Sequence, residues 1–69
     1  PFWYLPLRAQ LGEALITANN NVEAEAVFQK GLTEYQRNPR MLKGLYQSLK
    51  NQNKDWDAFW VESQLRKAK

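Results

Sequence analysis

The charged side chains are the groups of this sequence that could do chemistry, because its 69 residues include no histidine and no cysteine. Ten residues are lysine or arginine, and seven are aspartate or glutamate. Without imidazole or thiol groups, the chain lacks the commonest metal ligand, the commonest general base and the cysteine nucleophile. Its cations can instead donate charge-assisted hydrogen bonds to carboxylates or phosphates. These residue types therefore exclude most catalytic schemes.

The carboxylates and glycines are not placed for catalysis. Glu23 and Glu25, and likewise Asp55 and Asp57, lie two residues apart in segments predicted to be helical, so the members of each pair face different directions and cannot share a reacting atom. The glycines stand singly inside predicted helices and form no phosphate-binding loop; they are Gly12, Gly31 and Gly44. We therefore predict that the chain is not an enzyme and holds no cofactor and no metal.

Positive charge is concentrated in the second half of the chain. Residues 1–35 carry a formal net charge of −2 and residues 36–69 one of +5. Arg40, Lys43 and Lys50 recur at intervals of three and seven residues, which places them on one face of a helix. Such a face suits an acidic peptide or a C-terminal carboxylate. A solvated surface is the simpler interpretation of the charges taken singly.

The elements that must position these groups are helices. Strand-forming β-branched residues are scarce, and Ala, Leu, Gln, Glu and Lys dominate. Polar segments separate four predicted helices, which run from Pro6 to about Ala18, from Val22 to about Gln36, from Pro39 to about Gln52, and onward from Asp55. The predicted apolar face of the first helix comprises Leu7, Leu11, Ala14, Leu15 and Ala18. No apolar run approaches the roughly 20 residues of a membrane span.

The chain repeats itself at a spacing of 34 residues. A shift of 34 superposes Leu11 on Leu45, Leu15 on Leu49, Asn19 on Asn53 and Ala24 on Ala58. Recurrence at this interval predicts two helix-turn-helix units in which small residues let helices approach and large ones fill the space between them. The turn of the first unit is predicted at Asn19–Asn21, and a helix cap at Asn38 before Pro39.

The pattern Leu11-Gly12-x-x-Leu15, then Ala24-x-x-x-Phe28-x-x-Gly31-Leu32, resembles the tetratricopeptide repeat. The resemblance implies an all-α fold of two antiparallel helix-turn-helix hairpins, a fragment of a right-handed α–α superhelix. It makes residues 1–69 a single domain fragment, with one repeat at about 5–38 and another at about 39–68. The late position of Pro39 implies a second helix that is longer by almost a turn. The second repeat departs from the pattern at Tyr46, Glu62 and Leu65, and these departures resemble a terminal repeat.

A finer resemblance rests on three short runs. They are Pro1-Phe2-Trp3-Tyr4-x-Pro6, residues 23–28, and Asn38-Pro39-x-x-Leu42-x-Gly44-Leu45, and they resemble the C-terminal end of long bacterial tetratricopeptide proteins of unassigned function. The start at Pro1 instead of Met agrees with a piece of a longer protein.

The resemblance implies a protein–protein interaction or scaffolding module that binds a protein or peptide on the face of its A helices. Contact positions of the family carry over to Ala9, Glu13, Ile16 and Thr17, and to Arg40, Lys43, Gln47, Lys50 and Asn51. The partner-binding residues predicted from these are Glu13, Thr17, Arg40, Lys43, Gln47, Lys50 and Asn51. Carboxylate-clamp members have Lys and Asn where this chain has Ala9 and Glu13, so that mode does not carry over to the first repeat.

Two further interactions are open at this level. Basic charge with interleaved aromatics could bind nucleic acid by phosphate contacts and stacking, although the positive charge follows only one of the two A helices. Trp56 and Trp60 lie four apart on one helical face and could form a homodimer contact with other aromatics at the exposed ends. Phe28, Phe59 and one side of Tyr46 are instead expected in the core.

Overall fold

A computed structural model describes residues 4–36 and 38–67, with side chains from residue 7 onward. Its elements are α1 (Tyr4–Thr17), α2 (Asn21–Glu34), α3 (Pro39–Asn51) and α4 (Asp55–Lys67), and these described ranges contain no strand. The prediction of an all-α chain with four helices is therefore confirmed. The second helix was predicted to run to about Gln36, but α2 ends at Glu34, two residues earlier. Phe2 and Trp3 lie outside the described residues.

The helices pack in chain order. Each helix contacts the next one, and α1 also contacts α3. The principal extents of the molecule are 33 × 29 × 15 Å, and the smallest of these fits two layers of helices at the usual spacing of about 8–10 Å. α1 therefore lies beside α3, the helix that carries the cations predicted to bind a partner, Arg40, Lys43 and Lys50.

The turn after α1 and the turn after α3 have the same backbone geometry. Asn19 and Asn53 have φ angles of 64° and 62°, in the left-handed region that asparagine tolerates better than most residues. The amide of Asn20 donates to the carbonyl of Leu15, and the amide of Lys54 donates to the carbonyl of Leu49. Both turns thus satisfy carbonyls at the end of a helix in the same way. Asn21, predicted in the turn, is instead the first residue of α2.

Asn38 fixes the start of α3. Its side chain accepts hydrogen bonds from the amides of Arg40 and Met41 at 3.0 and 3.2 Å, and Pro39 occupies the first helical position. The predicted cap is confirmed, as is the placement of Asp55 and Asp57 in the first turn of α4. Because the cap sets where α3 begins, it also sets which way Arg40 faces.

The core is built around Phe28. The ring of Phe28 is fully buried between the backbones of α1 and α3, so that a Cβ added at Gly12 or at Gly44 would overlap it. Among the described residues, the buried apolar side chains are Ala9, Ala24, Phe28, Met41, Leu42, Leu45, Leu49 and Ala58. Tyr46 is partly buried and packs against this core, as expected.

Two predictions about the core are wrong. On α1, Leu7 and Leu11 are half exposed and Ala14 is exposed, because the helix turns the side that carries Ala9 and Gly12 toward the core. Ala18 follows the helix and is exposed too. Leu15 alone of the predicted stripe packs against the core. On α4, Phe59 is half exposed, because the small side chain of Ala58 takes the buried position.

Candidate partner-binding groove

A recess of about 520 Å³ lies between α1 and α3. Five of the seven side chains predicted to bind a partner line it: Glu13, Thr17, Arg40, Lys43 and Gln47. The other lining residues are Ile16 and Gly44. We call this recess the α1–α3 groove. A second recess of about 320 Å³ involves α2, α3 and α4, and the described residues that line it are all uncharged.

Glu13 and Arg40 form an ion pair at the groove. Arg40 Nε donates to Glu13 Oε2 at 3.1 Å, and Arg40 Nη2 donates to Glu13 Oε1 at 3.0 Å, so the guanidinium is bidentate. These hydrogen bonds lower the pKa of Glu13; partial desolvation opposes the shift, and the charge of Arg40 adds to it. The same hydrogen bonds raise the pKa of Arg40. Both groups are therefore charged at neutral pH, and the pair joins α1 to α3.

Lys43 is the uncommitted cation of the groove. Within residues 7–36 and 38–67 its ammonium makes no hydrogen bond and no ion pair, and the side chain is exposed. The neighbouring polar side chains are engaged within their own helices. Thr17 Oγ1 donates to the carbonyl of Glu13 at 3.1 Å, and Gln47 Nε2 donates to Asn51 Oδ1 at 2.9 Å. An anionic group of a partner could therefore pair with Lys43 without displacing a carboxylate of this chain.

Lys50 and Asn51 lie outside the groove lining. Lys50 Nζ is 3.2 Å from Asp55 Oδ1, so this lysine bridges the turn between α3 and α4. Asn51 Nδ2 donates to Oδ1 of the buried Asn21 at 2.9 Å. The structure therefore places these two predicted residues at the end of α3, where they join other elements.

A polar cluster at the same end holds α3 against α2. Gln52 Nε2 and Lys54 Nζ both donate to Glu25 Oε1, at 2.9 and 3.1 Å. Gln52 also donates to the carbonyl of Asn21 at 3.2 Å. Burial opposes the ionisation of Glu25, but the hydrogen bonds from Gln52 and Lys54, together with the charge of Lys54, outweigh it and lower the pKa of this carboxyl. The cluster fixes the orientation of the helix that carries the groove cations.

The floor of the groove depends on a glycine that sequence reasoning did not select. Gly44 lies against the ring of Phe28, so the groove is deep at this position because no side chain fills it. The signal in the sequence was a lone glycine inside a predicted helix, where it costs about 1 kcal/mol relative to alanine.

Ile16 is one of the positions carried over from the family. The corresponding expectation for Ala9 is wrong, because Ala9 is fully buried.

Residues 4–36 and 38–67 contain neither a candidate metal site nor a candidate membrane-spanning helix. No group of three or more acidic side chains there is arranged to hold a metal ion. None of the four helices combines the length and the apolar character that crossing a bilayer requires.

Comparison with known proteins links the chain to a much longer one. No family model matches the sequence, and no solved structure matches it. An uncharacterized protein of Aquifex aeolicus (strain VF5) is 35% identical over 66 aligned residues. The match covers 80% of this chain and 9% of that relative. The chain is therefore similar to a short stretch of this bacterial protein.

Proposed function

We propose that the chain is a tetratricopeptide-type interaction module that binds a partner protein or peptide in the α1–α3 groove. In this proposal α1 and α3 are the A helices of two antiparallel hairpins, and α2 and α4 are the B helices. Support comes from the two matching turns, in which Asn19 and Asn53 lie 34 residues apart. Further support comes from Ala24 and Ala58, which occupy equivalent positions and are both buried.

The observation that carries the function is the convergence of five predicted side chains on one recess. They come from two helices, and 27 residues separate Glu13 from Arg40. The volume of about 520 Å³ lies within the range of about 300–1,000 Å³ that is typical of binding sites. Ile16 and Gly44 give the recess an apolar part beside its charged rim. This combination suits a segment that presents an apolar side chain next to an anionic group.

The charges of the groove favour an acidic partner segment of low net charge. Glu13 neutralises Arg40, so Lys43 leaves the lining with one net positive charge. A single partner carboxylate can pair with Lys43 without breaking the existing ion pair. A second carboxylate would have to displace Glu13 from Arg40. We therefore expect peptides with one acidic residue beside a large apolar residue to bind better than polyacidic ones.

Defined peptides test this proposal. An array of peptides with zero, one or several acidic residues, each with and without a neighbouring leucine, identifies binders whose affinity is then measured by fluorescence anisotropy. For the best binder, Lys43→Gln is expected to weaken binding about tenfold, since a charge-assisted hydrogen bond is lost. Lys30→Gln is the matched control, because Lys30 is exposed on α2 and does not line the groove.

The outcomes separate the groove from nonspecific charge. Equal losses for Lys43→Gln and Lys30→Gln would contradict a specific site, and so would the absence of any binding peptide. Nucleic-acid binding has weaker support, because Arg40 and Lys50 are each held by a carboxylate. A single-stranded oligonucleotide bound at moderate salt, with affinity lost in Lys43→Gln, would favour that alternative.

A further inference from the structure

The outer face of α4 carries three large aromatic side chains that the fold leaves in solvent. Trp56, Phe59 and Trp60 are 79%, 50% and 62% exposed. The rings of Phe59 and Trp60 meet edge to face, with centroids 5.9 Å apart and planes at 72°. An apolar recess of about 380 Å³ lies between Trp56 and Phe59, beside Asp55. We call this surface the α4 aromatic face. Contiguous aromatic surface of this kind typically marks an interaction site.

The charges at the two ends of α4 have opposite signs. Asp55 and Asp57 lie in the first turn, and Arg66 and Lys67 lie in the last turn. At 100° per residue, Asp55 and Arg66 fall on one flank of the aromatic face. Asp57 and Gln64 fall on the other flank by the same geometry. Within residues 7–36 and 38–67, Asp57 and Arg66 make no ion pair, and Asp55 pairs only with the exposed Lys50.

We infer that the α4 aromatic face binds a second copy of this chain, with the two α4 helices antiparallel across a twofold axis. A twofold axis that passes between Trp60 and Val61 brings Trp60 of one copy beside Trp60 of the other. The same register places Asp55 opposite Arg66 of the second copy, and Asp57 opposite Gln64, each contact occurring twice. A parallel arrangement would instead place aspartate against aspartate and cation against cation. Charge complementarity therefore selects the antiparallel pair.

The available area sets the strength of this association. Tryptophan and phenylalanine bury about 150–250 Å² each, so the three partly exposed rings offer roughly 400–500 Å² per copy. A standard interface buries about 800 Å² per partner. The second copy should therefore bind weakly and dissociate on dilution, with a dissociation constant on the order of 10 µM to 1 mM.

Sedimentation equilibrium of the whole chain between about 1 µM and 1 mM tests the inference. The apparent mass should rise from 8.1 kDa toward twice that value. Trp60→Ala should raise the dissociation constant at least tenfold, as expected for an aromatic at the centre of an interface. Asp55→Arg and Arg66→Asp should each weaken the dimer, and the doubly reversed chain should recover most of the wild-type affinity, because each arginine then faces an aspartate again. Far-UV circular dichroism verifies that the variants, all at exposed positions, remain folded.

Leu11→Ser is the matched control. Leu11 is a half-exposed apolar side chain on α1, and α1 makes no contact with α4 among the described residues. Its substitution should leave the dissociation constant unchanged within twofold. A chain that stays monomeric at 1 mM would overturn the inference. Loss of the dimer in Leu11→Ser would also overturn it, as would a double reversal that associates no better than the single ones.

Discussion

A single aromatic ring decides how closely three helices approach. Phe28 lies between Gly12 and Gly44, and a Cβ at either position would overlap its ring. The close approach of α1 and α3, and with it the shape of the α1–α3 groove, depends on these two missing side chains. The α1–α3 groove and the core therefore share one structural element.

Gly44→Ala tests this dependence. We expect the free energy of unfolding to fall by about 1–3 kcal/mol, because a methyl group forced against a packed ring distorts the core. This fall is the net effect that remains after the gain of about 1 kcal/mol that alanine brings to a helix interior. Urea denaturation followed by circular dichroism measures the change.

Gly31→Ala is the control for that measurement. A Cβ at Gly31 would lie 2.8 Å from Cε and Sδ of Met41, which are the far end of a flexible side chain that can move aside. Its cost should therefore be smaller than that of Gly44→Ala. Combining Gly44→Ala with Phe28→Leu should cost less than the sum of the two changes, since the smaller side chain relieves the overlap. Strict additivity would argue against a direct clash.

Residue types and spacing predicted most of the groove, but not its geometry. The positions of Glu13, Arg40 and Lys43 came from the resemblance to the tetratricopeptide repeat, whose contact positions carry over to these residues. The ion pair between Glu13 and Arg40 could not be predicted, since it depends on the distance between two helices. Gly44 was missed for a related reason: a shift of 34 aligns it with Gln10, so the internal repeat drew no attention to it.

Among the elements, the turns were predictable because asparagine and proline have strong local preferences. Asn38 and Pro39 marked the start of α3 correctly. The end of α2 was predicted two residues late. Asn38 has an extended conformation, with φ −64° and ψ 124°, as proline requires of the residue that precedes it. The chain must leave the helix before Asn38 to reach that conformation, and Tyr35 is already non-helical.

The turn between α3 and α4 gives a prediction at this scale. Asn53→Ala should reduce the free energy of unfolding by about 1 kcal/mol, because alanine is disfavoured at a φ of 62°. Asn53→Gly should leave stability unchanged or raise it slightly, since glycine adopts this conformation without strain. Asn53 is a cleaner position than Asn19, whose side chain accepts a hydrogen bond from Asn21. The measurement is a pair of urea melts, and equal midpoints for the two variants would refute the strain argument.

For the whole molecule, composition and local spacing were enough to predict four helices, but not which faces they bury. Both faces of α4 carry apolar side chains, so periodicity alone could not decide between Ala58 and Phe59 as the buried residue. The same ambiguity affected α1, where the leucine stripe at Leu7 and Leu11 points into solvent. Which face of a helix is buried depends on how the helices contact one another, and those contacts involve residues from the whole chain.

The uneven packing of the four helices predicts uneven stability. Among the described residues, α3 contacts every other helix and α2 contacts two, whereas α4 contacts α3 alone and has one buried residue, Ala58. Amide hydrogen exchange should therefore be at least tenfold slower in the middle of α2 and α3 than in α4. NMR detection assigns the rates to single residues. The measurement uses the Trp60→Ala variant, because self-association of the wild type would slow amide exchange in α4. Equal exchange rates in all four helices of this variant would contradict the expected difference.

The enclosure of Phe28 also governs the order of events during folding. The ring is fully covered only after Gly12 and Gly44, 32 positions apart, have come to lie on opposite sides of it. Neither half of the chain can therefore reach its final packing while the other is unstructured, even though each half contains its own turn. We expect the slow step of folding to close this long loop, so that its rate responds to changes at Phe28 more than to changes in either turn.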